Sequence, residues 1–289
     1  MAFWQELALA VIQGLTEFMP ISSSAHLILF AEMLGGAPQL LVFDIALHLG
    51  TLVALSWYLR KDIGLLMRVR SADFSLRQHS RKLWLILLIG SVPLAVAGLS
   101  LRFIVEEYLR NIAVIASANL IFAALLFQVW KRYLNSPPDQ AFGDNAEDNS
   151  SSDGAIDLAQ KVSFRQAAVV GLMQVFALIP GASRAGLTLT AGLAAGLPVR
   201  LAVRLSFLLA LPAILGAFLL ESVRSLYRAD FSPALLQSAL FGACVSAVVA
   251  FFVLRYLYTW IQAVGVLPFV LYRLALGAVL LIFFVPGVP

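Results

Sequence analysis

Gln13-Gly14-Leu15-Thr16-Glu17-Phe18-Met19-Pro20-Ile21-Ser22-Ser23-Ser24-Ala25-His26-Leu27 is the stretch that decides how this chain is built. It lies inside an apolar run from residue 3 to residue 34, interrupted near its middle by Pro20 and three serines. Spanning hydrocarbon takes about 20 apolar residues in a helix, so neither half of the run crosses alone. Irregular backbone at membrane depth is tolerated only where protein buries it or it lines a wet cavity. The run therefore reads as a re-entrant helix, loop and helix whose tip reaches mid-membrane. Residues 165–197 repeat the device around Pro180-Gly181-Ala182-Ser183.

Six uninterrupted stretches are long enough to span, at 41–59, 83–105, 112–134, 201–221, 235–257 and 267–287. The order is broken segment and three spans, then the same again. Three crossings per half is an odd number, so the halves should insert with opposite orientations. The expected fold is all-α: six transmembrane helices plus two re-entrant broken helices in an inverted-topology repeat. The first repeat covers 1–134 and the second 161–289. Between them, 135–160 carries six acids, no Lys or Arg, and Pro, Ser, Asn and Gly, and reads as a disordered linker.

Composition agrees with a chain that faces lipid. Of 289 residues 61% are hydrophobic and 12% charged, with mean hydropathy +0.90. A soluble domain carries roughly a quarter of its residues charged. The net charge of +4 does not mark a nucleic-acid partner, because Lys and Arg sit beside apolar spans. The single Cys244 excludes an internal disulfide and a cysteine metal cage. Glu6 and the absence of basic residues before the first apolar run argue against a cleavable signal peptide.

Basic residues also orient the chain. Arg60, Lys61, Arg68, Arg70, Arg77, Arg81 and Lys82 share one face with Lys131, Arg132, Lys161, Arg165, Arg200, Arg204 and Arg255. The other face holds Arg102, Arg110, Arg224 and Arg228. The richer face should be cytoplasmic, which puts both termini in the periplasm of an inner-membrane protein. The first broken segment then opens outward and the second inward.

Ionisable groups inside a membrane are costly and mark function by default. They are Glu17, His26, Asp44, His48, Arg184 and Arg273, accompanied by Gln13, Ser22, Ser23, Ser24, Ser183 and Thr188. Gln13 and Glu17, four apart, share a helix face. The serines supply hydroxyls and a helix N-cap, and His26 falls in the first turn that follows. Ser183 and Arg184 open the second half-helix, where Gly181 and Gly186 allow close approach. Two half-helix N-termini at the midplane and a planar guanidinium make a phosphate cradle. Asp44 and His48, one turn apart, read as a hydrogen-bonded pair in the bundle, and Gly192 and Gly196 as helix packing.

These residues carry a resemblance. The stretch 13–27 resembles the (E/Q)xxxE-plus-serine motif of undecaprenyl-diphosphate phosphatases, the bacitracin-resistance family. Pro180-Gly181-Ala182-Ser183-Arg184-Ala185-Gly186-Leu187-Thr188 is similar to that family's PGxSRSG motif, with Ala185 in place of the second serine. Phe43-Asp44-Ile45, His48-Leu49-Gly50-Thr51, Ser206-Phe207 through Pro212, and Tyr272-Arg273 are further matches.

The resemblance implies hydrolysis of undecaprenyl diphosphate to undecaprenyl phosphate and inorganic phosphate. That recycles the lipid carrier of cell-wall synthesis and confers bacitracin resistance. Glu17, Ser23, His26 and Arg184 are the implied catalytic set. Ser23 is the first choice of nucleophile with Glu17 as its base, and His26 the alternative nucleophile or acid. Gln13, Ser22, Ser24, Gly181, Ser183, Thr188 and Arg273 would bind substrate. A divalent cation, Mg2+ or Ca2+, is implied on Glu17 and Gln13. The partners are a polyprenyl diphosphate lipid and the bilayer, and homo-oligomer formation stays open. The architecture also suits a transporter that flips a phosphate-bearing lipid.

Overall fold

The computed structural model describes residues 2–33, 41–135, 153–226 and 233–284, and these contain helices and turns without strands. Apolar residues drive every long element, and the two broken segments part at Pro20 with its serines and at Pro180-Gly181, whereas Pro93 and Pro212 stand inside long helices. Helices α1 (Phe3–Thr16) and α2 (Ser23–Met33) form the first broken segment. Next come α3 (Leu41–Tyr58), a short α4 (Arg60–Leu66) and a 3-10 turn, then α5 (Phe74–Ser100) and α6 (Ile112–Leu134). A further helix, α7 (Asp153–Lys161), precedes the second broken segment, α8 (Phe164–Gln174) and α9 (Arg184–Ala194). The chain continues through α10 (Val199–Leu226), α11 (Pro233–Val264) and α12 (Leu267–Phe284).

Among the described residues five helices are long and apolar enough to cross a membrane: α5, α6, α10, α11 and α12. A sixth crossing results if α3 is taken with the segment to Arg70, bent from it by 73°. The protein is an all-α polytopic membrane protein.

Two expectations change. The basic region 60–82 is largely helical rather than a loop, and α5 begins at Phe74 rather than at 83. Its start is set by Asp73, whose side chain caps Leu76 N–H at 3.1 Å. The linker is also shorter than 135–160. Its part from 136 to 152 lies outside the described residues, but from Asp153 onward the chain is helical, with Ala155, Leu158 and Ala159 fully buried. This helix is fastened by Lys82, whose ammonium donates to the Gln160 carbonyl at 3.0 Å. Its three core residues are spaced among acids and a glycine, which hides them in a composition count.

Helix α7 also covers a buried ion pair. Asp62 and Arg204 are 2% and 6% exposed, and Asp62 Oδ1 accepts from Arg204 Nε at 2.9 Å and Nη2 at 2.8 Å. A side chain at Gly154 would run into the Arg204 guanidinium. Removing one member of such a pair strands a charge in low dielectric, typically ~3–5 kcal/mol. Asp62→Ala should therefore lower the melting temperature in detergent sharply, while activity per folded molecule stays near the parent's. An unshifted melt would show that Arg204 does not depend on Asp62.

Glycines set how the two halves interlock. An added Cβ at Gly14 of α1 would meet the Ser246 carbonyl and the Val249 side chain of α11, both at 2.8 Å. One at Gly171 of α8 would meet the Gly90 backbone of α5 at 2.7 Å. In membranes, where lipid tails are as apolar as leucine, such small-residue contacts let backbones pack closely. So the first helix of each broken segment lies against the middle long helix of the other half. Of the predicted packing pair on α9, Gly192 does pack, against Ala202, but Gly196 ends the helix at φ +79°.

Candidate active site

The two breaks meet. Each ends in a serine with left-handed backbone, Ser22 at φ 72° and Ser183 at φ 68°, immediately before the second half-helix. These are the positive-φ residues other than glycine among those described. Such conformations cost of order 1–3 kcal/mol each and persist where the surroundings enforce them. Ser183 serves as N-cap, its hydroxyl accepting from Gly186 N–H at 3.2 Å. Ser22 Oγ lies 3.2 Å from Ser24 Oγ, and Ser24 Oγ accepts from Gly181 N–H at 3.2 Å, joining one break to the other. Gly181, at φ +91°, has no room for a Cβ against the Ile115 carbonyl.

Glu17 is the centre of the arrangement. It closes α1 as its C-cap, and its side chain is 8% exposed. Oε2 accepts from Ser23 Oγ at 2.9 Å and from Gln13 Nε2 at 3.0 Å. Oε1 accepts from Arg184 Nη2 at 3.3 Å, across 167 residues of chain. Arg184 Nη1 is buried and finds no hydrogen-bond partner among the described residues, and the same holds for Gln13 Oε1. A buried orphan donor on a guanidinium and a hydroxyl bonded to a carboxylate together describe an anion site with a nucleophile at its edge.

The other predicted residues fall into two groups. Ser22, Ser24, Gly181 and Ser183 build the turns that carry the site. Arg273 and Thr188 make their hydrogen bonds within the fold. Arg273 is fully buried: Nε donates to Asn119 Oδ1 at 2.8 Å and Nη2 to the Gly181 and Ala182 carbonyls at 3.2 and 3.0 Å. Its Nη1 reaches the Pro20 carbonyl at 3.5 Å, so this guanidinium fastens both breaks from behind. Thr188 Oγ1 donates within α9 to the Arg184 carbonyl at 2.9 Å and lies 2.6 Å from Ser206 Oγ.

His26 is held at both ring nitrogens, Nδ1 lying 2.7 Å from the Ser22 carbonyl and Nε2 2.5 Å from the Tyr272 hydroxyl. Asp44 and His48 do form a hydrogen-bonded pair, made through the backbone: His48 Nδ1 lies 2.8 Å from the Asp44 carbonyl. His48 Nε2 then sits 4.0 Å from Glu17 Oε2. His48, Tyr272 and Asn119 were missed as site residues. His48 was visible as an intramembrane ionisable group and Tyr272 as part of the Tyr272-Arg273 match, whereas nothing local to Asn119 distinguished it from an ordinary helix residue.

No three or more His, Cys, Asp or Glu side chains among those described converge as a metal cluster. Gln13 Oε1 and Glu17 offer a sparse oxygen set, which suits a cation that brings most of its ligands with an anionic substrate.

The family described as bacitracin resistance protein BacA matches residues 6–279. The chain is 39% identical over 286 residues to the undecaprenyl-diphosphatase of Alteromonas mediterranea, covering 98% of this chain and 99% of that one. It is 41% identical to the undecaprenyl-diphosphatase of Alcanivorax borkumensis, over 97% and 98% of the two chains. Undecaprenyl-diphosphatase 2 of Stutzerimonas stutzeri is 38% identical, over 97% of each.

Proposed function

Because the chain belongs to the bacitracin resistance protein BacA family, we propose that it is a phosphatase cleaving undecaprenyl diphosphate into undecaprenyl phosphate and inorganic phosphate. The observation that carries this is the contact of Ser23, Glu17 and Arg184 at the junction of the two breaks. Phosphoryl transfer needs mainly positioning and charge stabilisation. Ser23 Oγ attacks the terminal phosphorus, and its proton passes to Glu17 Oε2. As the Oγ–P bond forms, the bond from phosphorus to the bridging oxygen breaks and the lipid monophosphate leaves. Water then attacks the phosphoserine, inorganic phosphate departs and the serine hydroxyl is restored. Arg184 Nη1 and the first N–H groups of α2 and α9 stabilise the developing charge.

Gln13 and Glu17 would hold a Mg2+ or Ca2+ ion together with diphosphate oxygens, and the ion would neutralise phosphate charge. The prenyl tail stays in lipid while its head group enters. This returns the carrier to envelope synthesis and underlies resistance to bacitracin. Purified protein in detergent should release inorganic phosphate from the lipid diphosphate. Detergent abolishes vectorial movement but not hydrolysis, so absence of release would favour lipid transport instead.

The reading includes an orientation, with the basic face cytoplasmic, both termini periplasmic and the two halves oppositely inserted. Gln78, near the start of α5, and Glu107, beyond its end, lie on opposite sides of its apolar span, and both are exposed. With Cys244 replaced, Glu107→Cys should react with an impermeant thiol reagent on intact cells and Gln78→Cys should not. The opposite labelling pattern inverts the assignment.

A further inference from the structure

We propose that Tyr272 is a positioning residue of this site, its hydroxyl locking His26 as the neutral Nδ1–H tautomer so that His26 steadies the turn presenting Ser23. The proposal rests on the phosphatase reading for its consequence in rate, but its structural half stands alone.

The tautomer follows from the partners. A backbone carbonyl only accepts, so the 2.7 Å contact of His26 Nδ1 with the Ser22 carbonyl places the ring proton on Nδ1. Nε2 of a neutral ring is then an acceptor, and the Tyr272 hydroxyl donates to it at 2.5 Å. The two ring planes are parallel, 1° apart with centroids separated by 5.4 Å, and the short contact is made edge to edge through the hydroxyl and Nε2. With both nitrogens engaged, His26 is a poorer nucleophile than Ser23, whose hydroxyl donates to Glu17.

The hydroxyl is well placed to act as an anchor. Tyr272 directly precedes Arg273, the fully buried residue bonded to Asn119 and to carbonyls of both breaks. At the other end, the Ser22 carbonyl belongs to a residue in left-handed backbone, next to Ser23. The Nδ1–H bond pulls on that carbonyl and so holds the strained turn from which Ser23 Oγ reaches Glu17. Tyr272 thus acts on the nucleophile through His26, without touching substrate.

The test combines spectroscopy with kinetics. With 15N-histidine label in nanodiscs, the His26 signal (assigned by its loss in His26→Gln) should show the Nδ1–H tautomer in the parent. In Tyr272→Phe the Nε2 resonance should move as its donor is lost, and kcat should fall roughly tenfold or more with KM within about twofold, the effect of a misplaced nucleophile. Adding Tyr272→Phe to His26→Gln should cost nothing further. Tyr256→Phe, on an exposed part of α11, should match the parent. An Nε2–H tautomer in the parent overturns the proposal even if Tyr272→Phe fails to fold. So does full kcat in Tyr272→Phe, or a loss confined to KM. A parent that hydrolyses nothing sinks the phosphatase reading instead, leaving the tautomer to be judged on its own.

Discussion

Ser23→Ala should abolish detectable hydrolysis, a loss of at least ~10,000-fold, while the protein still folds and binds the lipid diphosphate. The three consecutive serines make this a sharp test, because their hydroxyls have different partners. Ser23 Oγ donates to Glu17 Oε2 at 2.9 Å, the arrangement of a nucleophile with its base. Ser22 Oγ lies against Ser24 Oγ, and Ser24 Oγ receives the Gly181 N–H. Ser22→Ala and Ser24→Ala should therefore retain measurable turnover, Ser24→Ala the less because it unties one break from the other. Phosphate release measured on all three, with binding of labelled substrate as the control, separates them. If Ser23→Ala turns over within about tenfold of the parent, an activated water makes the attack. Histidine is the poorer candidate for that role, since both nitrogens of His26 are engaged.

Much of this site was legible from residue types alone. Pro20 with the three serines, and Pro180-Gly181, stand out because each joins a proline to turn-forming residues inside an apolar run, whereas the lone Pro93 and Pro212 are accommodated within α5 and α10. Glu17 and Arg184 stand out because a charge at mid-membrane demands a partner, and each turns out to be a partner of the other. Sequence leaves a choice open where two roles share one chemistry. Arg273 is as buried and as basic as a phosphate ligand would be, yet its donors go to carbonyls at the backs of both turns. Only the path of the breaks decides that, and spacing along the chain does not encode it. His48 was legible only in part. Its four-residue distance from Asp44 gave the hydrogen-bonded pair, but not that the ring meets the Asp44 carbonyl and turns Nε2 toward Glu17. The same i to i+4 carbonyl contact holds His26 on Ser22. Asn119 lies 154 residues from the arginine it binds, and such pairings are invisible before the fold is known.

Arg184→Lys should lower kcat/KM by at least ~100-fold, about 2.7 kcal/mol of transition-state stabilisation, with little change in melting temperature. The geometry explains why charge alone is insufficient. One prong of the guanidinium, Nη2, holds Glu17 Oε1 at 3.3 Å, while the other, Nη1, is buried without a partner among the described residues. The planar fork can therefore keep the base oriented and bind a phosphate oxygen at the same moment. A lysine ammonium is a compact point charge on a flexible stem, and it must choose between the two. If it stays with Glu17, the phosphate loses its clamp. If it moves to phosphate, the carboxylate loses one of three donors and the alignment with Ser23 loosens. Stability is spared in either case because the ion pair keeps its charges, and the tie between the breaks is carried by Arg273 and by Ser24 with Gly181. Steady-state kinetics alongside a thermal melt distinguish the outcomes. A Lys variant with near-parental kcat/KM would make Arg184 an ion-pair partner only. One that melts far below the parent would make it a structural tie.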